Sequence, residues 1–184
     1  GAPIDGRVRL LNHAAWPDIR IEALTEHFGF AGVRIENDFA AMARSVPELA
    51  ETAFETLVPG EPLIGSPLLV TGPGTGLGVA TLLPEPGGRW RVISGEGGHA
   101  AYASQTAREF VMVEALQAAG HAYVSNELVC SGSGFDAVRE ARCALEGAAY
   151  EKLPPQAILD AAARGDRHAR EVCDLRAAAI MGAA

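Results

Sequence analysis

Over the first 45 residues the apolar positions change their period three times. Residues 7–11 (RVRLL) alternate after an Asp5-Gly6 turn, the two-residue rhythm of a short strand. Trp16-Pro17-Asp18 then opens a helix, with Asp18 as its expected N-cap, Ile21, Leu24 and Phe28 on one face, and Gly29 as its stop. Val33–Ile35 reads as a second short strand, and Glu36-Asn37-Asp38 leads into another amphipathic helix from Phe39 to about Ser45. Helix, strand, helix is an α/β pattern. From Pro47 to Pro67 the rhythm disappears: Pro47, Pro59, Pro62 and Pro67, with glycines between them, have the composition of an irregular connector or hinge. A domain boundary is expected there, with residues 1–48 in a small α/β domain and residues 49–184 in a larger one.

The pattern beyond it is different. Leu68–Thr71, Gly78–Leu83 and Trp90–Ile93 look like three strands joined by Gly/Pro-rich turns, a β-meander. Thereafter the period is helical, near 105–119, 134–146, 156–164 and 168–181, punctuated by Gly120, the Ser131-Gly132-Ser133-Gly134 loop, Pro154-Pro155 and Gly165.

Composition narrows the class. The chain has 184 residues, 48% hydrophobic and 21% charged, which suits a folded protein with a sizeable core and argues against disorder. The net charge is −8 and the basic residues are scattered, so no stripe can neutralise a phosphate backbone and nucleic acid is not an expected partner. No apolar run approaches the roughly 20 residues that span a bilayer, and the start GAPIDGRVRL lacks the layout of a secretory signal. A cytoplasmic protein without a membrane partner is expected. Cys130, Cys143 and Cys173 form no CxxC pair and read as reduced packing residues rather than disulfide or zinc partners.

Three loops can carry chemistry. Gly72-Pro73-Gly74-Thr75-Gly76-Leu77-Gly78 sets four glycines at alternate positions between two strands. Such a loop can aim backbone N–H groups at an anion, with the Thr75 hydroxyl as a further donor. A dinucleotide loop or P-loop would open into a helix, whereas here a strand follows. A phosphate grip made by a hairpin and a plain glycine-rich turn both remain. In Gly95-Glu96-Gly97-Gly98-His99 a carboxylate and an imidazole stand three residues apart. A metal would need a third ligand that the sequence does not place nearby, so no metal-ligating residue is assigned. Glu96 and His99 can instead hydrogen-bond a polyhydroxylated ligand, or simply lie in a solvated loop. In Glu36-Asn37-Asp38-Phe39, Asp38 is either a helix N-cap or a carboxylate held at a strand's C-terminal end, where open α/β sheets place ligands.

Taken together and in this order, ENDF, GPGTGLG, GEGGH and Glu127-x-x-x-Ser131-Gly132 resemble the bacterial glucokinase family. The opening GAPIDG, Asn12-His13-x-x-Trp16 and Ile180-Met181-Gly182 are also similar to it, so the match runs through most of the chain. The resemblance implies a two-domain actin-like, ribonuclease-H-like α/β sugar kinase fold, incomplete in this chain, and ATP-dependent phosphorylation of glucose to glucose 6-phosphate with Mg2+. By the same resemblance Asp38 is the catalytic base, Asn37, Glu96, His99 and Glu127 hold the sugar, and Gly72, Gly74, Thr75 and Gly76 face the phosphates of ATP. A homodimer is the implied assembly.

The chain departs from the family pattern in several places. The family's N-terminal DxGGT-type phosphate hairpin and its C-terminal glycine-rich adenosine site are expected to lie outside these 184 residues, which leaves this stretch alone without kinase activity. Leu11 stands where a Thr often precedes the Asn, and Ala101 replaces an acidic residue after GEGGH. The competing function is a sugar-binding regulator on the same fold; it usually carries a basic DNA-binding helical module, and none is visible here. A nicotinamide-dependent oxidoreductase is disfavoured by the strand that follows the glycine run.

Overall fold

Arg7–Val8 forms strand β1, and its partner is a segment the apolar pattern assigned to a helix: Ile19–Arg20 (β2), antiparallel, with Arg7 opposite Arg20 and Val8 opposite Ile19. The computed structural model describes residues 5–10 and 15–183, so the readings of the first four residues, Leu11 and Asn12-His13 fall outside the described part. Drawing Ile19 and Arg20 into a ladder delays the helix. Helix α1 runs Ile21–Phe28, Arg20 is an N-cap with no side-chain bond, and the expected cap Asp18 instead accepts from Arg9 Nε at 2.9 Å. Gly29 stops the helix as expected, in the left-handed region at φ 65°.

Val33–Ile35 is irregular, because a strand needs a ladder partner and none of the described residues pairs with it. Helix α2, Asp38–Ser45, starts one residue early: Asn37 is extended at φ −64°, ψ 141°, and its side chain caps the helix, so Asp38 occupies the first helical position. The proline-rich stretch is irregular apart from two short 3-10 turns, Val46–Glu48 and Glu51–Ala53.

The expected meander is present as β3 (Leu68–Pro73), β4 (Leu77–Glu85) and β5 (Arg89–Gly95), in the order β3-β4-β5. Both connections are three residues long, which obliges neighbouring strands to run antiparallel. Helices α3 (Ala107–Ala118), α4 (Asn126–Cys130), α5 (Gly134–Glu146), α6 (Pro155–Ala163) and α7 (Arg167–Gly182) follow. Only α4 has no counterpart in the periodicity. Thr106, Ser125 and Asp166 cap α3, α4 and α7 through their side-chain oxygens.

Two compact units result: Gly1–Leu68 with Ala80–Ser94, and Leu69–Val79 with Gly95–Ala184. The core of the second gathers Leu77 and Val79 of β4 with Leu116, Val129, Phe135, Val138, Ile158 and Val172 from the helices. Phe135, Leu116 and Ile158 have no exposed surface, and burial of each such side chain contributes roughly 1.5–3 kcal/mol. Cys130 and Cys143 are buried and Cys173 is half-buried, all as free thiols, and burial pushes the Cys130 thiol up to about 11.

Candidate functional site

The turn between β3 and β4 is Gly74-Thr75-Gly76, closed by a 2.7 Å bond from Gly74 N to Gly76 O. Its other two carbonyls are also satisfied within the fold. Gly132 N donates to Gly74 O at 2.9 Å, and Ser133 Oγ donates to Thr75 O at 3.3 Å. With all three carbonyls accepting internally, the N–H groups of Thr75 and Gly76 are left with no protein partner among the described residues. Thr75 is exposed. This is the polarity an anion needs. Gly72 lies inside β3, before the turn, and Thr71 Oγ1 donates across the hairpin to Gly78 O at 3.1 Å.

Glu127, in the first turn of α4, reaches the base of this hairpin and accepts from Leu77 N at 2.9 Å. The contact is so close that a Cβ on Gly76 would stand 2.3 Å from Glu127 Oε2. A side chain at Gly76 would therefore push the Glu127 carboxylate from this position.

The Glu96–His99 segment meets the same strand from another side. After β5 ends at Gly95 the chain makes a 3-10 turn, Gly97–His99, with Gly98 pressed on β4: a Cβ there would lie 2.4 Å from Leu77 O. His99 Nε2 stands 3.6 Å from Glu96 Oε2, and both side chains are mostly exposed. Backbone bonds Asn126 N to Ala100 O and Tyr102 N to Val124 O, each 3.0 Å, pin the following residues to the start of α4. Ala101, where the family pattern has an acidic residue, takes part in this bridge opposite Ser125 through its main chain. Tyr123 Oη donates to His99 O at 2.7 Å. Gly74, Thr75, Gly76, Glu96, His99 and Glu127 thus all belong to the second compact unit, tied together through Leu77 and the α4 entrance.

Asn37 and Asp38 belong to the first unit. Asn37 Oδ1 accepts from Phe39 N at 3.0 Å and Ala40 N at 3.1 Å, which leaves its Nδ2 donor without a partner among the described residues. The Asp38 side chain is exposed at the helix N-terminus, where the macrodipole favours a carboxylate, and it accepts from Phe39 N at 2.9 Å. Asp38 as N-cap is thus replaced by Asn37, and Asp38 follows an irregular segment rather than a strand end. Glu36 beside them pairs with Arg34 and accepts from Arg44 Nη2 at 3.1 Å. Among the described residues no three His, Cys, Asp or Glu side chains form a group able to hold a metal. Periodicity missed α4 and its neighbours Tyr123 and Ser133; the signal it offered was Ser125 three residues before Leu128, the spacing of a side-chain cap.

The fold places the chain among the actin-like α/β sugar kinases. The crystal structure of glucokinase from an Antarctic psychrotroph superposes with a TM-score of 0.75 and 32% identity, covering 95% of this chain and 52% of that one. The crystal structure of glucokinase from Balamuthia mandrillaris in complex with glucose gives a TM-score of 0.55 and 25% identity over 62% of this chain and 34% of that one. The family model described as Glucokinase matches residues 1–184. Glucokinase of Chromobacterium violaceum is 35% identical over 99% of this chain and 52% of its own length, and that of Nitrobacter hamburgensis is 37% identical over 89% and 50%. The chain belongs to the glucokinase family. It spans about half the length of the curated relatives it matches.

Proposed function

We propose that the whole protein phosphorylates glucose with ATP, giving glucose 6-phosphate. The observation that carries this reading is the Gly74–Gly76 turn, whose carbonyls face inward while two amides stand open, braced by the carboxylate of Glu127. Exposed Gly74, with open space where a side chain would stand, leaves room for a polyphosphate, and the open amides supply donors for its oxygens. Gly72, Gly74, Thr75 and Gly76 are assigned to the phosphates of ATP. Magnesium, carried with the nucleotide, supplies charge neutralisation between phosphate oxygens.

Phosphoryl transfer passes through a loose transition state, so in-line positioning of the attacking hydroxyl does most of the work. Asp38 orients the sugar 6-hydroxyl and takes its proton as the bond to phosphorus forms, with ADP as the leaving group. Asn37 contributes the donor its capping role leaves over, Nδ2. Glu96 and Glu127 accept from hydroxyls, and His99 can donate or accept. A site matched to a hydroxyl in this way discriminates against sugars that lack or invert it. The division at residues 48 and 49, a homodimer and a cytoplasmic location complete the proposal. No helix among the described residues is long and apolar enough to cross a membrane. A sugar-binding regulator without catalysis is not favoured, because Asp38 keeps an accessible carboxylate and the relatives carry the name glucokinase.

The test is a coupled assay of the complete gene product against a panel of hexoses with ATP, repeated for Asp38→Asn. Glucose should be the preferred acceptor. The variant should lose roughly 10²- to 10⁴-fold in kcat while still binding glucose. Turnover within tenfold of wild type would remove Asp38 from the base role.

A further inference from the structure

Sugar and nucleotide are assigned to different loops, yet one short segment that carries a residue assigned to the sugar, Glu127, touches both the base and the tip of the nucleotide's hairpin. Residues 127–133 contribute three bonds to the glycine hairpin: Glu127 Oε2 from Leu77 N, Gly132 N to Gly74 O, and Ser133 Oγ to Thr75 O. Ser133 is itself held, its Oγ lying 3.0 Å from Ser131 Oγ, which accepts from Gly134 N at 3.1 Å. The segment can come this close only because its small residues permit it. A Cβ on Gly132 would sit 3.2 Å from Gly74 O, and one on Gly134 would sit 1.7 Å from Leu128 O.

One of these bonds anchors the hairpin's base through the Leu77 amide, and the other two consume groups that would repel the ligand. These are the carbonyls of Gly74 and Thr75, whose negative ends must point away from a phosphate. We propose that Ser133 and Glu127 are positioning residues for the nucleotide's phosphates: they fix the hairpin with its amides of Thr75 and Gly76 outward. Glu127 therefore serves both substrates, one carboxylate oxygen bonded to the Leu77 amide and the other left for the sugar. This rests on the reading of the chain as part of a glucokinase.

The two residues have separable signatures. In the complete gene product, Ser133→Ala should raise the KM for ATP about 3- to 10-fold, the usual effect of one lost hydrogen bond, and leave the KM for glucose within twofold. Ser133→Thr, which keeps the hydroxyl, should restore the wild-type value. Glu127→Ala should raise both KM values. An ATP KM unmoved by Ser133→Ala, or a Glu127→Ala variant impaired for glucose alone, overturns the proposal while glucose phosphorylation by the wild type keeps the functional reading intact. Calorimetric titration of wild type and Ser133→Ala with Mg-ADP, which involves no chemistry, decides the proposal independently of turnover. The same 3- to 10-fold weakening supports it, and equal affinities overturn it.

Discussion

At the residue scale, the two polar atoms of the Asn37 amide part company. Its Oδ1 caps α2, and its Nδ2, without a partner among the described residues, is the donor proposed for the sugar. Asn37→Asp keeps a strong capping acceptor and removes the donor, so thermal stability should stay within about 0.5 kcal/mol of wild type, since Asp and Asn cap about equally well. The KM for glucose should rise several-fold, to about 10-fold, in the same protein. Equal losses of stability and affinity would show instead that Asn37 matters only as a cap. Gly76 offers the converse case. Alanine there collides with the Glu127 carboxylate, so Gly76→Ala should displace that side chain and raise the KM for glucose as well as for ATP, measured by steady-state kinetics. None of this was legible from the letters alone: ENDF names a cap and an acid without saying which is which, and the extended backbone at Asn37 decides it.

At the element scale, α3, α5 and α7 are stitched by charge around a hollow of about 310 Å³ lined by Arg108, Met112, Arg142, Glu171 and Leu175 among others. Glu171 pairs with both Arg108 and Arg142, and the Glu171 and Arg142 side chains are only 10% and 13% exposed. Glu171→Ala leaves Arg142 with Glu146 as its remaining carboxylate, so the loss is that of one charge-assisted bond and should cost roughly 1.5–3 kcal/mol in a denaturant titration. Glu146, on α5, meets Arg142, Arg167 and His168. Burial pushes its carboxyl up, but the His168 bond and the two arginines outweigh it and hold the group below the usual carboxylate range. The sign follows from linkage. A carboxyl lowered on folding stabilises at pH values above its unfolded pKa of about 4.3, and that stabilisation is lost as pH falls through the folded value. Melting curves of wild type and Glu146→Gln should therefore differ at pH 7 and converge as the pH drops below about 4. The long helices here were readable because several turns of periodicity announce a buried face. Helix α4, five residues long, and β2, two residues long, have too few positions to show a period and exist because of what they pair with.

At the scale of the whole molecule, the sequence located the meander and every long helix of the second unit, and the motifs it singled out there lie together around Leu77. What it could not supply was Val33–Ile35, whose strand-like letters find no ladder among the described residues, and the start of α1, displaced by a pairing partner that precedes it in the chain. Strandedness is a property of two segments, and alternation reports only one. Burial of the thiols gives a global readout. Cys130 and Cys143 should resist alkylation at pH 8 in the native protein and react only on unfolding, followed by peptide mapping across a guanidinium titration. Rapid modification of either under native conditions would mean that the helical core opens locally.

The glycines at 76, 98 and 134 have an implication for engineering heat tolerance. Replacing glycine by alanine commonly stabilises a protein by restricting its unfolded chain, yet at these three positions the added methyl would meet Glu127, the Leu77 carbonyl or the Leu128 carbonyl. That route to a sturdier protein is closed by backbone at 98 and 134 and at 76 would displace Glu127, whereas Gly74, with open space at its Cβ, leaves it available.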